Sequence, residues 1–235
     1  MITRRSACGC ILGALSFPVS QAFAAQTECP LSTAEVQANT TPAEALERLK
    51  SGNERFVAGK SINCDLLRQV RETSHKQTPF AAIVGCIDSR VPPEIVFDQR
   101  IGDVFCARIA GNFVNVDILG SLEYSTEVSG AKAIVVLGHT RCGAITSAMK
   151  GVKAGNITAL LENFKPALES VKLAGSTDNT SHADLVHTIT ENNVKLTVAD
   201  ITRRSPIIKK LVDENKLIIA GAIHDVDTGL IRWLT

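Results

Sequence analysis

The chain has 235 residues, 45% of them hydrophobic, with 24 acidic and 25 basic side chains and a net charge of +1. That length and apolar fraction bury one sizeable core and require no second domain. No Lys/Arg stripe is interleaved with aromatics, which excludes the electrostatic footprint of a nucleic-acid binder and favours a small, weakly charged substrate.

Arg4 and Arg5 form a basic start, residues 11–19 a short apolar run, and Ala22-Phe23-Ala24 an A-x-A cleavage motif. Residues 1–24 are therefore expected to be an export signal peptide, and the mature chain a periplasmic one. The run is too short to span ~30 Å of hydrocarbon, so no stable membrane anchor is expected. Thr3 before the arginine pair fits the twin-arginine route, while Ala7 and Cys8 depart from its usual pattern and leave the general secretory route open. Cleavage would leave Cys29, Cys64, Cys86, Cys106 and Cys142, an odd number that disulfide pairing alone cannot explain. Whether Cys29 and Cys64 pair stays open, and Cys106 falls inside a strand pattern as a core residue.

Residues 25–40 look like a loose polar lead-in. Thr41, Pro42 and Glu44 then form a helix start, with Thr41 as N-cap and Pro42 at the first helical position. That helical arm carries Leu46, Leu49 and Phe56 and is expected to pack on the domain or on a partner subunit. From Pro79 onward short apolar strands alternate with helical stretches, the order of a parallel sheet with crossover helices. The expected strands are 80–85, 104–110, 133–138 and 217–222, with an edge strand at 230–234. Helices are expected over 116–128, after Cys142 and over 183–202. The fold class is α/β: a single domain, 41–235, with a mostly parallel sheet flanked by helices.

Two clusters carry chemistry. "CIDSR", residues 86–90, and "GHTRCGA", residues 138–144, each follow an apolar strand directly. In open parallel sheets functional groups collect beyond the carboxyl ends of the strands, so Cys86, His139 and Cys142 can meet there. Two thiolates and an imidazole suit Zn²⁺ and leave one tetrahedral position open, as in a catalytic rather than a structural site. Asp88 lies near enough to orient a water at that position, and Arg90 can hold Asp88 by a two-pronged contact. Gly143 opens a helix whose backbone N–H groups favour an anion.

"CIDSRVPPE" together with "GHTRCGA" resembles the zinc core of the β-class carbonic anhydrases, whose motifs are C-x-D-x-R and H-x-x-C. The segments "RLKSGNERFVAG", "FDQRIGDVFCARIAGN", "SLEY" and "GAIHDVDTGLI" extend the resemblance over residues 42–234. It implies reversible hydration of CO2 to bicarbonate by a zinc enzyme that assembles as a homodimer or homotetramer. It also implies that Gln77 donates its amide to bicarbonate, and that Asp88 becomes a conditional fourth metal ligand when Arg90 lets go. Two positions depart from the family pattern. Ile83 stands where members with a non-catalytic bicarbonate site carry Trp, although Arg108 matches such members. His224 stands where Tyr is usual and reads as a satisfied imidazole near a strand end. A CS2 or COS hydrolase on the same zinc scaffold is the neighbouring alternative. A non-catalytic zinc-binding protein is a further one, against which Asp88 and Arg90 speak, and a thiol redox protein would lack a C-x-x-C pair.

Overall fold

Four apolar segments too short to make stable helices become parallel strands of one sheet in the computed structural model, which describes residues 32–62, 64–173 and 181–234. They are β1 (Ala81–Gly85), β2 (Val104–Arg108), β3 (Ala133–His139) and β4 (Ile218–His224), and β5 (Ile231–Leu234) joins antiparallel to β4. The order across the sheet is β2-β1-β3-β4-β5. Central β1 and β3 read AAIVG and AIVVLGH and are buried throughout, the near-continuous apolar run of strands covered on both faces.

The helices in chain order are α1 (Ala34–Asn39), α2 (Pro42–Val57), α3 (Leu66–Thr73), α4 (Pro93–Val96) and α5 (Val116–Glu123), which a π-turn at Tyr124–Val128 extends. They continue as α6 (Gly143–Met149), α7 (Gly155–Leu161), α8 (Lys165–Leu173), α9 (His182–Arg204) and α10 (Pro206–Asp213). Strand alternation sorts them into two layers. Ala81, Ile83, Val135, Leu137 and Ala222 pack with Ala45 and Leu49 of α2 and Val96 of α4. Ala82, Val84, Ile134, Val136 and Ile223 pack with α5, α9 and α10 through Leu119, Leu122, Val194, Ile201 and Ile208. The arm that begins at Thr41 thus covers its own sheet. Among the described residues no helix is long and apolar enough to cross a membrane.

Local chemistry explains the helix starts. Thr41 accepts from the Glu44 N–H while the Glu44 carboxylate accepts from the Thr41 N–H at 2.8 Å, a reciprocal capping box with Pro42 at the first helical position. Ser181 caps α9 by accepting from the Asp184 N–H. That helix lies close on the sheet because Gly138 and Gly221 leave room for it: a Cβ there would come within 2.7 and 2.8 Å of Val194.

Two differences from the sequence-based expectation have physical causes. The segment before Thr41 is not a loose lead-in throughout, since Ala34–Asn39 forms α1 with Thr33 as its cap. It buries no residue of its own, so no apolar period announces it; Gln37 anchors it by donating to the carbonyls of Pro79 and Ser129, both at 2.7 Å. The helix expected over 116–128 is α-helical only to Glu123. In the π-turn that follows, the Ser125 and Thr126 hydroxyls both bond back to the Leu122 carbonyl at 2.8 Å, competing with the backbone ladder.

Asn53 of α2 ties three pieces together. Its amide donates to the carbonyls of Val96 and Gly229 and accepts from the Ile231 N–H, each at 2.9 Å, with the residue 5% exposed. Removing it strands buried polar groups, so Asn53→Ala is expected to cost about 3 kcal/mol. Urea unfolding at fixed protein concentration measures this, and an unmoved midpoint would refute the role.

Candidate metal centre

β1 and β3 are hydrogen-bonded neighbours in which Gly85 pairs with Leu137, so both strands end at the same edge of the sheet. Cys86 is the first residue beyond β1, His139 is the last of β3, and Cys142 is the N-cap of α6. The chain turns from β3 into α6 through Arg141, which adopts the left-handed conformation at φ +57°. The ligand atoms of Cys86, His139 and Cys142 all lie within 4.8 Å of one another, and the residues are 4%, 0% and 1% exposed.

His139 Nδ1 lies 2.9 Å from the Thr140 carbonyl, to which it donates, and this leaves Nε2 as the bare lone pair. Nε2 is buried without a hydrogen-bond partner. A buried imidazole nitrogen facing two sulfurs is costly unless something binds it, and the donor set fits a tetrahedral metal of the zinc type. The two thiols divide their protons unequally. Cys86 is held well below the ordinary thiol range, chiefly by the hydrogen bond it accepts from Cys142, with help from the Gly111 N–H at 3.2 Å. Cys142 is pushed up by that same bond and by burial. A metal cation bound there would take the place of the remaining proton.

The loop that carries Cys86 is pinned from two sides. Arg90 Nε and Nη2 donate to Asp88 Oδ1 at 2.9 Å and Oδ2 at 2.8 Å, and the Arg90 N–H adds a bond to Oδ1 at 3.0 Å. This fork holds the Asp88 carboxyl well below the usual carboxylate range. Asp88 Oδ2 stands 3.9 Å from His139 Nε2, beside the cluster but not against it. From below, Arg108 at the end of β2 donates to the carbonyls of Cys86 at 2.8 Å and Asp88 at 2.7 Å. The Gly111 loop is held in turn by the Asn193 amide, which donates to the Gly111 carbonyl at 2.8 Å.

Cys86, Asp88, Arg90, His139 and Cys142 therefore come together, and Gly143 stands exposed at the first position of α6 beside Cys142. Gln77 does not join them within the chain. It is exposed and precedes β1, whereas Cys86 follows that strand, and the strand's five residues at about 3.3 Å each keep the two about 17 Å apart or more. His224 departs from the expectation of a satisfied imidazole: it pairs in register with His139 and is 3% exposed, yet neither ring nitrogen has a partner. Burial, and then the neighbouring His139, lower its pKa. Ile83 is wholly buried in the layer beneath α2. Arg108 was visible in the sequence only as a matching residue; its grip on two carbonyls follows from its register opposite Gly85, which motif spacing does not report. Among the described residues Cys86, Cys106 and Cys142 are free and Cys64 is disulfide-bonded, while Cys29 lies outside them.

The family model described as carbonic anhydrase matches residues 81–231. Carbonic anhydrase 2 of Mycobacterium tuberculosis is 36% identical over 202 residues, covering 81% of this chain and 92% of that protein. Among solved structures, a tetrameric β-carbonic anhydrase from Sordaria macrospora superposes with a TM-score of 0.65 at 25% identity, over 70% of this chain and 84% of that one. The Coccomyxa β-carbonic anhydrase in complex with acetazolamide gives a TM-score of 0.64 at 26% identity, over 80% and 84%. The chain belongs to the carbonic anhydrase family, in its β class.

Arg108→Met keeps much of the side-chain volume but frees both carbonyls of the ligand loop. It is expected to weaken metal binding at least about tenfold, as loss of outer support does at metal sites. Competition against a chromophoric chelator reads this directly, and unchanged affinity would show that the loop holds itself.

Proposed function

We propose that this chain catalyses the reversible hydration of CO2 to bicarbonate and a proton, with Zn²⁺ held by Cys86, His139 and Cys142. The observation that carries this reading is the Asp88–Arg90 fork. A structural zinc site uses four fixed protein ligands, whereas here three converge and the nearest carboxylate is restrained beside them, which suits a position kept open for chemistry. When bound, zinc supplies a nucleophilic hydroxide near neutral pH, as is known for zinc in carbonic anhydrases.

The protein's own residues then direct the reaction. Asp88 Oδ2 accepts the O–H proton of the attacking oxygen and leaves its lone pair facing CO2. Arg90 keeps Asp88 from becoming the fourth ligand. Because the Arg90 fork lowers the Asp88 pKa, the group stays an ionised acceptor until the pH falls far below the carboxylate range, so it remains competent throughout neutral and alkaline conditions. The Gly143 N–H at the start of α6 can receive an oxygen of bicarbonate, and Gln77 can do so only from a second copy whose sheet meets this site at its opposite end. A homodimer, or a homotetramer like the Sordaria relative, satisfies that requirement.

The mature protein acts in the periplasm, reached through the signal in residues 1–24; a disulfide at Cys64 supports an oxidising compartment. Twin-arginine export would carry the chain folded, with Cys86 and Cys142 already shielded by metal.

Stopped-flow measurement of the zinc-loaded chain is expected to show fast CO2 hydration, and Asp88→Asn to lower kcat/KM about a hundredfold with zinc content unchanged. Absence of hydration by the zinc-loaded wild type at every pH from about 6.5 to 9 would overturn the assignment. Replacing Arg4 and Arg5 together by lysine is expected to leave the protein in the cytoplasm, as cell fractionation would reveal; continued export would point to the general secretory route.

A further inference from the structure

Two ion pairs stand in line beside the metal ligands. One is the Asp88–Arg90 fork; in the other, Arg141 Nη2 lies 2.6 Å from Asp227 Oδ2. The pairs share a junction, because Arg90 Nη2 also donates to the Arg141 carbonyl at 3.4 Å.

Stability does not explain the second pair. Its side chains are 67% and 53% exposed, and ion pairs so exposed contribute little to folding. Arg141 nevertheless sits one residue before a ligand, in a left-handed conformation at φ +57° that is unfavourable for a non-glycine residue. Such strain persists where the surroundings impose it, and it clusters at functional sites.

Asp227 is presented by a rigid turn. Asp225 Oδ1 accepts the N–H of Asp227 at 2.8 Å and of Thr228 at 3.2 Å, and the Val226 N–H donates to Thr140 Oγ1 at 3.0 Å. The turn is thereby fastened to the loop between His139 and Cys142, and the backbone of Asp227 cannot retreat from it. Arg90 senses this carboxylate: its basicity is raised first by the hydrogen bonds to Asp88, and further by the charges of Cys142 and Asp227.

We propose that Arg141 is a positioning residue for CO2 hydration, which occupies Asp227 so that this carboxylate does not draw Arg90 away from Asp88. The proposal rests on the assignment of Asp88 and Arg90 given above. Without Arg141, Asp227 becomes an unpaired carboxylate on the far side of the Arg141 backbone that Arg90 touches, and it competes for Arg90. Each Arg90 that changes partner releases Asp88 to take the open metal position.

The test uses the full chain loaded with Co²⁺ and titrated with azide, followed by the visible absorption bands, because azide needs the position that a released Asp88 would fill. Arg141→Ala is expected to keep its metal but to bind azide about tenfold more weakly, a population shift toward the closed site. Adding Asp227→Asn to Arg141→Ala removes the competitor and is expected to restore azide affinity to within about twofold of wild type, a rescue that reports direct coupling. CO2 hydration by the zinc-loaded forms is expected to follow the same order. A merely structural role for Arg141 predicts no rescue, so a double variant as weak as Arg141→Ala would overturn the proposal. Unchanged azide affinity in Arg141→Ala would do the same. Arg90→Ala separates this failure from failure of the underlying assignment: it is expected to abolish azide binding, and wild-type binding there would remove the Asp88 clamp and the proposal with it.

Discussion

The parallel pairing of β1 with β3 is the constraint on which the site depends. It places Cys86 and His139 side by side at one edge of the sheet, although more than fifty residues separate them in the chain. Side chains alternate along a strand, so a slip of one residue would turn His139 to the other face. The register is held by the core itself, with Ile83, Val135 and Leu137 on one side and Val84, Ile134 and Val136 on the other. Catalytic geometry and hydrophobic packing are therefore specified by the same residues, and neither can shift alone.

Charge completes what the strands begin. Two thiolates would balance a divalent cation held between them, and Asp88 balances Arg90. The arginines have distinct tasks set by their acceptors. Arg90 holds a side-chain carboxylate, whereas Arg108 holds two backbone carbonyls, and the planar guanidinium fork serves both. His139 Nε2 and both ring nitrogens of the adjoining His224 are buried without hydrogen-bond partners, and the first is the lone pair that a metal would take.

Much of this was legible in the sequence because strong local signals coincided with the site. The apolar runs ending at Gly85 and Gly138, and the ligand pairs immediately after them, announced both the sheet and the chemistry. Thr41, Pro42 and Glu44 announced α2 through capping residues that act within one turn. Other features left no such trace. α1 buries no residue, so the period that marks an amphipathic helix is faint in it, whereas α3 is strongly amphipathic yet leaves Leu66, Leu67 and Val70 exposed. The hold of Arg108 on the carbonyls of Cys86 and Asp88, and of Gly111 on Cys86, runs from side chain to backbone or from backbone to sulfur, and residue type does not encode it. The separation of Gln77 from the site was implicit in the strand expected over 80–85, which lies between Gln77 and Cys86. His224 looked like any polar residue near a strand end, and only its burial against His139 revealed unpaired nitrogens.

Two of the three ligands adjoin the most deeply buried strands of the molecule rather than riding on a mobile loop. Protein regions open locally with free energies that approach the global value in the central strands. Release of a metal held by Cys86 and His139 would therefore require a disturbance of the sheet's interior and not the flicker of a surface segment. The exchange rate of an ion bound there would in this way be governed by the cohesion of the core, and the metal would be surrendered largely when the fold itself gives way.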